Sequence, residues 1–202
     1  MARPADLPTP EDRSVSMAAA NGYALLFVVP AAAALLGAFF ALWGWPPLYR
    51  ATDGALDRPL LALAVFAAGV VAHEVLHVVA WRWVGHVPAG TVRLGFQWAT
   101  LTPYAHCEVP MAARAYRIGA ATPGVVLGLL PVLAGLATGG GALFLFGLLF
   151  TLAAGGDALI LWLLRDVPAD QLVADHPSRA GCLVHAAGEE TEGVGSAPGA
   201  GE

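Results

Sequence analysis

The sequence predicts an all-α polytopic membrane protein: about four transmembrane helices, with a short β-hairpin between the second and the third. Three observations carry that reading. The 202 residues are 57% hydrophobic and only 12% charged, with a mean hydropathy of +0.66, whereas soluble domains carry roughly 25% charged residues. Several stretches stay apolar for roughly 20 residues, the length that crosses a bilayer. Between the second and third of them, Val92, Leu94, Phe96 and Trp98 alternate with Arg93, Gly95, Gln97 and Ala99, and a period of two belongs to a strand.

Residues 1–21 mix Pro, Asp, Glu, Arg and Ser and read as a disordered lead-in. The first span, Gly22 to Trp43, is uncharged, and Trp43 and Trp45 stand where aromatic side chains favour the membrane interface. A secretory signal is disfavoured, because the apolar run exceeds a typical h-region and Arg3 and Arg13 lie too far upstream. Pro46 to Asp57 is expected to be a short polar loop. The second span runs from about Arg58 to Val84 and is closed by Gly85 and Pro88. After the strand at Val92, Thr100 to Val109 is expected to return as its partner.

The third span starts after Pro110, a residue suited to a helix start, and runs to about Thr138, with a kink expected at Pro123-Gly124. Gly139, Gly140 and Gly141 form the turn into a fourth span, Ala142 to Leu164. Residues 22–165 then make one transmembrane domain. Residues 166–202 make a cytoplasmic tail, disordered at its Gly/Ala/Glu-rich end.

The ten basic residues are all arginine and the formal net charge is −5, a balance that excludes a nucleic-acid surface. On four spans, Arg3, Arg13, Arg82, Arg93, Arg114, Arg117, Arg165 and Arg179 fall on one side, and Arg50 and Arg58 on the other. Positive-inside bias therefore sets both termini in the cytoplasm of a multi-pass protein, expected in a prokaryotic cell membrane.

The second span carries His73-Glu74-Val75-Leu76-His77, and from Leu60 to Trp81 these are the only ionisable side chains. Intramembrane ionisable groups are costly unless they line a functional cavity. Helical positions i and i+4 share a face, so His73 and His77 can both offer a ring nitrogen to one Zn2+ ion. Glu74 is turned about 100° from His73, beside the open coordination position.

A catalytic zinc takes three protein ligands and leaves one position open. Asp157 is the candidate for the third, being the only ionisable residue between Arg117 and Arg165. At 1.5 Å per residue, His77 and Asp157 lie at about the same depth from the cytoplasmic end of their spans. Gly155 and Gly156 precede Asp157 and would let two helix backbones approach. The competing reading pairs Asp157 with Arg114 or Arg117.

Among the other histidines, His106 stands beside Cys107 and Glu108 on what reads as a loop at the cytoplasmic mouth, within reach of metal or substrate. His86 and His185 have no partner pattern, and Asp175-His176-Pro177 reads as a turn. Cys107 and Cys182 form no CxxC and argue for neither a disulfide framework nor a thiolate metal site.

Taken together, these residues resemble the membrane family catalogued as domain of unknown function 3267, zincin-type peptidases with a layout similar to site-2 proteases. The likeness rests on His73-Glu74-x-x-His77, on Tyr104 to Pro110 with Cys107-Glu108, and on Gly155-Gly156-Asp157 with the apolar run to Arg165. It extends through Asp175-His176-Pro177 and Gly181-Cys182, covering roughly residues 60 to 185. The resemblance implies a zinc-dependent intramembrane peptidase with two His ligands and one Asp ligand. It departs from the site-2 type in having Ala158 after Asp157 and no PDZ-like domain.

Metal-assisted hydrolysis with Glu74 as general base is the expected chemistry, acting on a membrane-protein substrate. The Val92-to-Trp98 strand offers an edge that could hold an unwound segment by strand addition, which makes Phe96, Trp98 and His106 the candidate substrate contacts; equally, the hairpin could merely cover the cytoplasmic mouth. Two rivals remain open at this point: a non-catalytic metal carrier, sensor or scaffold, and a zinc hydrolase acting on a lipid or another small substrate.

Overall fold

The computed structural model of the chain describes residues 9–88, 90–98 and 102–186. Strand β1 (Glu11–Val15) is followed by helices α1 (Met17–Trp43), α2 (Pro46–Asp57) and α3 (Pro59–Val84). Next come the hairpin strands β2 (Val92–Gln97) and β3 (Thr102–Cys107), then the two-residue strand β4 (Met111–Ala112). Helix α4 (Ala113–Pro123), a π-helical turn (Gly124–Leu129) and α5 (Leu130–Thr138) continue one another, and α6 (Gly141–Ala153) and α7 (Gly155–Leu163) follow. Strands β5 (Leu172–Asp175) and β6 (Ala180–Val184) complete the order.

Three helices are long and apolar enough to cross a membrane: Met17–Trp43, Pro59–Val84 and Ala113–Thr138. Large apolar side chains on them face outward; α3 leaves Leu60 81% and Val71 63% exposed. A helix apolar on all sides is stable only where lipid replaces water around it. This is a membrane protein. The expected fourth span is not one straight helix, because α6 and α7 meet at a 44° bend at Ala154 and count as a span only as a pair.

The protein is mostly helical but not all-α, and several sequence-based expectations are corrected. Part of the expected disordered lead-in is ordered, since residues 11–15 pair antiparallel with β6 and Ser16 caps α1 through the Ala19 N–H at 3.2 Å. Residues 46–57 form a helix and not a loop. Pro46-Pro47 opens it rather than breaking it, because a proline in the first turn gives up an N–H that has no helical partner anyway. The tail contains β5 and β6; its last residues, 187–202, and residues 1–8 lie outside the described part. At Pro123-Gly124, where a kink is expected, the helix passes into the π-helical turn.

The strands form two sheets. β2 and β3 pair alone, with Val92 opposite Cys107 and Gln97 opposite Thr102. The other sheet has the order β1-β6-β5-β4, all antiparallel. It gathers short segments from before α1, before α4 and after α7. Beneath it lies a core of Trp81, Met111, Ala113, Tyr116, Leu164, Val173 and Cys182, which ties the sheet to the ends of α3, α4 and α7. A second core, Phe39, Leu48, Val132, Phe144 and Leu148, ties α1 and α2 to α5 and α6.

Candidate metal centre

Helix α3 buries His73, Glu74 and His77, which are 8%, 9% and 6% exposed, although most of its other side chains face outward. Such burial of three ionisable groups in an apolar helix is costly unless they are partnered. The partners of the two histidines come from α4 and α7.

Asp157, in the first turn of α7, reaches both imidazoles. Its Oδ2 lies 3.1 Å from His73 Nε2 and its Oδ1 lies 3.3 Å from His77 Nε2. Of the alternative arginine partners, Arg117 donates to the Val167 carbonyl, and among the described residues the ion-pair partners of Asp157 are the two histidines. Among the described residues, His73, His77 and Asp157 form the one group of His, Cys, Asp or Glu side chains that could hold a metal ion, with one atom from each within 4.8 Å of the others.

The donor set fits zinc. His77 Nδ1 lies 3.0 Å from the Gly119 carbonyl oxygen, which can only accept, so Nδ1 carries the proton. In the neutral ring Nε2 is then a lone pair aimed at a carboxylate oxygen, acceptor against acceptor. A cation between them resolves this, and two imidazoles with one carboxylate are a normal zinc donor set. Asp157 Oδ2 repeats the point: it lies within ion-pair distance of His73 Nε2, yet it is buried without a properly aimed hydrogen bond.

The approach of these helices has a different cause from the expected one. Gly155 serves α1, since a Cβ there would sit 2.9 Å from Val28 and 3.1 Å from Ala24, and Gly156 meets nothing. What brings α4 against α3 is Gly119, whose missing side chain leaves room for the Trp81 indole. Trp81 in turn stacks between His77, at a centroid separation of 5.4 Å, and Tyr116, at 5.3 Å. His73, His77 and Trp81 recur at i, i+4 and i+8, and Tyr116, Gly119 and Ala120 at i, i+3 and i+4. Both faces are therefore visible in the sequence as helical spacings, though neither Trp81 nor Gly119 was singled out there.

Glu74 shares the cavity lining with Ala105 of β3. Cys107, two residues further along the same strand, gives its N–H to Asp175 Oδ2 at 2.6 Å. Asp175 also accepts from the Tyr116 hydroxyl and stands 3.6 Å from His106 Nδ1. Burial pushes the Asp175 carboxyl up from its usual range, and the Tyr116 hydroxyl and Cys107 N–H pull against that. The Asp175-His176-Pro177 segment is thus more than a turn, because its Asp fastens β3 and α4 to the sheet. His106 lies on β3.

A cavity of about 820 Å³ opens over these groups. Its lining includes the apolar side chains of Phe66, Val70, Phe150, Leu159 and Ile160 and the polar ones of Arg93, His106, His176 and Arg179. Of the candidate substrate contacts, Phe96 and His106 face it, while Trp98 lies against the Phe96 ring, 4.7 Å between centroids. The buried thiols take no part: burial pushes Cys107 up to about 11 and Cys182 up to about 12, so both stay protonated at neutral pH and are poor ligands and nucleophiles.

No curated protein and no solved structure matches the chain. A family model described as "Putative zincin peptidase" matches residues 66–172, a stretch that takes in the His73-to-His77 motif, the hairpin and Asp157, and the chain belongs to that family.

Proposed function

We propose that the protein is a zinc-dependent intramembrane peptidase of the site-2 protease type, holding one zinc ion through His73, His77 and Asp157. The observation that carries this reading is the convergence of those three side chains, with Glu74 beside them, in the lining of one cavity that has both apolar and polar walls. Its substrates are membrane proteins.

Zinc, when bound, supplies Lewis acidity, acidifying a water and polarising a carbonyl. Glu74 accepts the proton of the attacking water on its carboxylate and returns it to the leaving amine. The outer edge of β3 is engaged by Asp175, which takes the Cys107 N–H. The outer edge of β2 is therefore the one left to hold an unwound substrate strand, with Arg93, Phe96 and Gln97 facing the cavity.

Four crossings are supported by the larger sheet. Its strands must lie on one side of the membrane, so the chain crosses an even number of times between each pair of them. Between β1 and β4 the crossings are α1 and α3. Between β4 and β5 they are Ala113–Thr138 and the bent pair α6–α7, which makes that pair a fourth span. The sheet end carries Arg13, Arg114, Arg165 and Arg179 and is cytoplasmic by the positive-inside rule.

The test is Glu74→Gln in protein purified in detergent, with zinc measured by mass spectrometry and cleavage of an unstructured substrate such as casein. Gln keeps the size but takes up no proton at neutral pH. Zinc stays near full occupancy while cleavage falls by a factor on the order of 10² to 10⁴, the usual share of a general base. Undiminished cleavage in that variant sinks the peptidase reading and leaves a metal-binding membrane protein in its place.

A further inference from the structure

We infer that Pro123 is a positioning residue of the metal centre, because it frees the backbone carbonyl that orients His77. In an α-helix the carbonyl of residue 119 is bonded by the N–H of residue 123. Residue 123 is proline, which has no N–H. The backbone there is nevertheless helical, with φ −63° and ψ −43°, so any other residue would direct its N–H at Gly119. The next donor does not fill the gap either: Gly124 gives its N–H to Ala121. Gly119 O is thus an acceptor without its helical partner inside an apolar helix pair, where an unmet carbonyl is costly. His77 Nδ1 takes it at 3.0 Å.

The consequence for His77 is a fixed tautomer and a fixed ring plane. With Nδ1–H spent on Gly119, Nε2 is the lone pair turned toward Asp157. Gly119 itself is required on the same count, since any side chain would occupy the space of the Trp81 ring that stacks on His77. Pro123 is fully buried and is not part of the cavity lining. It acts through Gly119. Read from the sequence alone, the same proline would be assigned only a kink.

The inference rests on His77 being a metal ligand, and the experiment separates the two. Zinc affinity is measured by chelator competition for wild type, His77→Ala, Pro123→Ala, Pro123→Val and Pro131→Ala, with folding followed by circular dichroism. The Nδ1–H resonance of His77 is followed by ¹⁵N NMR in the metal-free protein. Both substitutions at 123 introduce an N–H, so both weaken zinc binding by roughly 10- to 100-fold, the usual effect of losing a ligand's orienting partner. Both also shift the His77 signal away from a hydrogen-bonded Nδ1–H, while Pro131→Ala, which removes a proline from the same span, changes neither. Unchanged zinc affinity at Pro123→Ala and Pro123→Val overturns the inference. A loss that follows side-chain size, present for Ala and absent for Val, overturns it too, because packing would then be the cause. If His77→Ala keeps full zinc affinity, the ligand assignment itself fails.

Discussion

At the scale of single residues, Asp157 does two jobs that a neutral side chain cannot share. It meets both histidines, one with each oxygen, and it supplies the only negative charge among the three candidate ligands. Asp157→Asn keeps the shape but loses that charge and one acceptor. Zinc affinity in this variant, and in His73→Ala and His77→Ala, is expected to fall by more than the roughly 10- to 100-fold typical of losing an orienting partner. If Asp157→Asn binds zinc as wild type does while His106→Ala or Asp175→Asn does not, the third ligand lies elsewhere. The two cysteines supply an independent check on burial. With thiols held up near 11 and 12, the thiolate fraction at pH 7 is negligible, and reaction needs the thiolate. Maleimide should label Cys107 and Cys182 slowly in the folded protein and fast after denaturation. Fast labelling in the native state would contradict the buried core that contains them both.

At the scale of elements, the site depends on how closely α3 and α4 pack, and Gly119 sets that distance. A methyl group at 119 runs into the Trp81 indole, and Trp81 has nowhere to go, being 3% exposed and hydrogen-bonded from Nε1 to the Tyr116 carbonyl at 3.3 Å. Gly119→Ala should therefore cost about 1–3 kcal/mol, the usual range for overpacking, seen as a lowered unfolding temperature in detergent. It should also weaken zinc binding, because His77 loses both its stacking partner's position and its carbonyl. A variant as stable as wild type would show that the helices adjust freely. These helical features were largely legible in the sequence, since His73, Glu74, His77 and the isolated Asp157 declare themselves by local spacing in apolar surroundings. The larger sheet was not. Its strands come from residues 11–15, 111–112, 172–175 and 180–184, each too short to show a period. The charged Glu11–Val15 strand is held by its distant partner β6 and by Arg13 reaching Asp166 at 3.1 Å. Pairing between segments so far apart leaves no local signature, which is also why Asp175 read as a turn residue.

At the scale of the whole molecule, the two ends of the helical bundle are built differently, and that difference makes the proposed topology testable. One end holds the sheet, the hairpin and the metal centre. At the other end the α1–α2 and α5–α6 connections meet: Trp43 Nε1 donates to the Leu136 carbonyl at 2.8 Å, and Gly141 lies directly against the Pro47 backbone. The ring of Trp43 also covers Gly139, whose φ of +72° closes the turn. Arg50 lies in α2, the helix packed against α6 at this end, whereas Arg13, Arg114, Arg165 and Arg179 belong to the sheet end. Reporter fusions after Gly85 and after Arg179 should accordingly read cytoplasmic, and fusions at Gly54 and Gly140 external. The fusion after Arg179 is the decisive one. If α6 and α7 dip into the membrane and return rather than crossing, Gly140 and Arg179 must report the same side. Strands β5 and β6 would then lie across the bilayer from β4 and β1, and the four-stranded sheet could not form. Opposite signals at Gly140 and Arg179 are therefore required by the pairing of Met111 with Val173 and of Ser14 with Gly181, independently of any count of arginines.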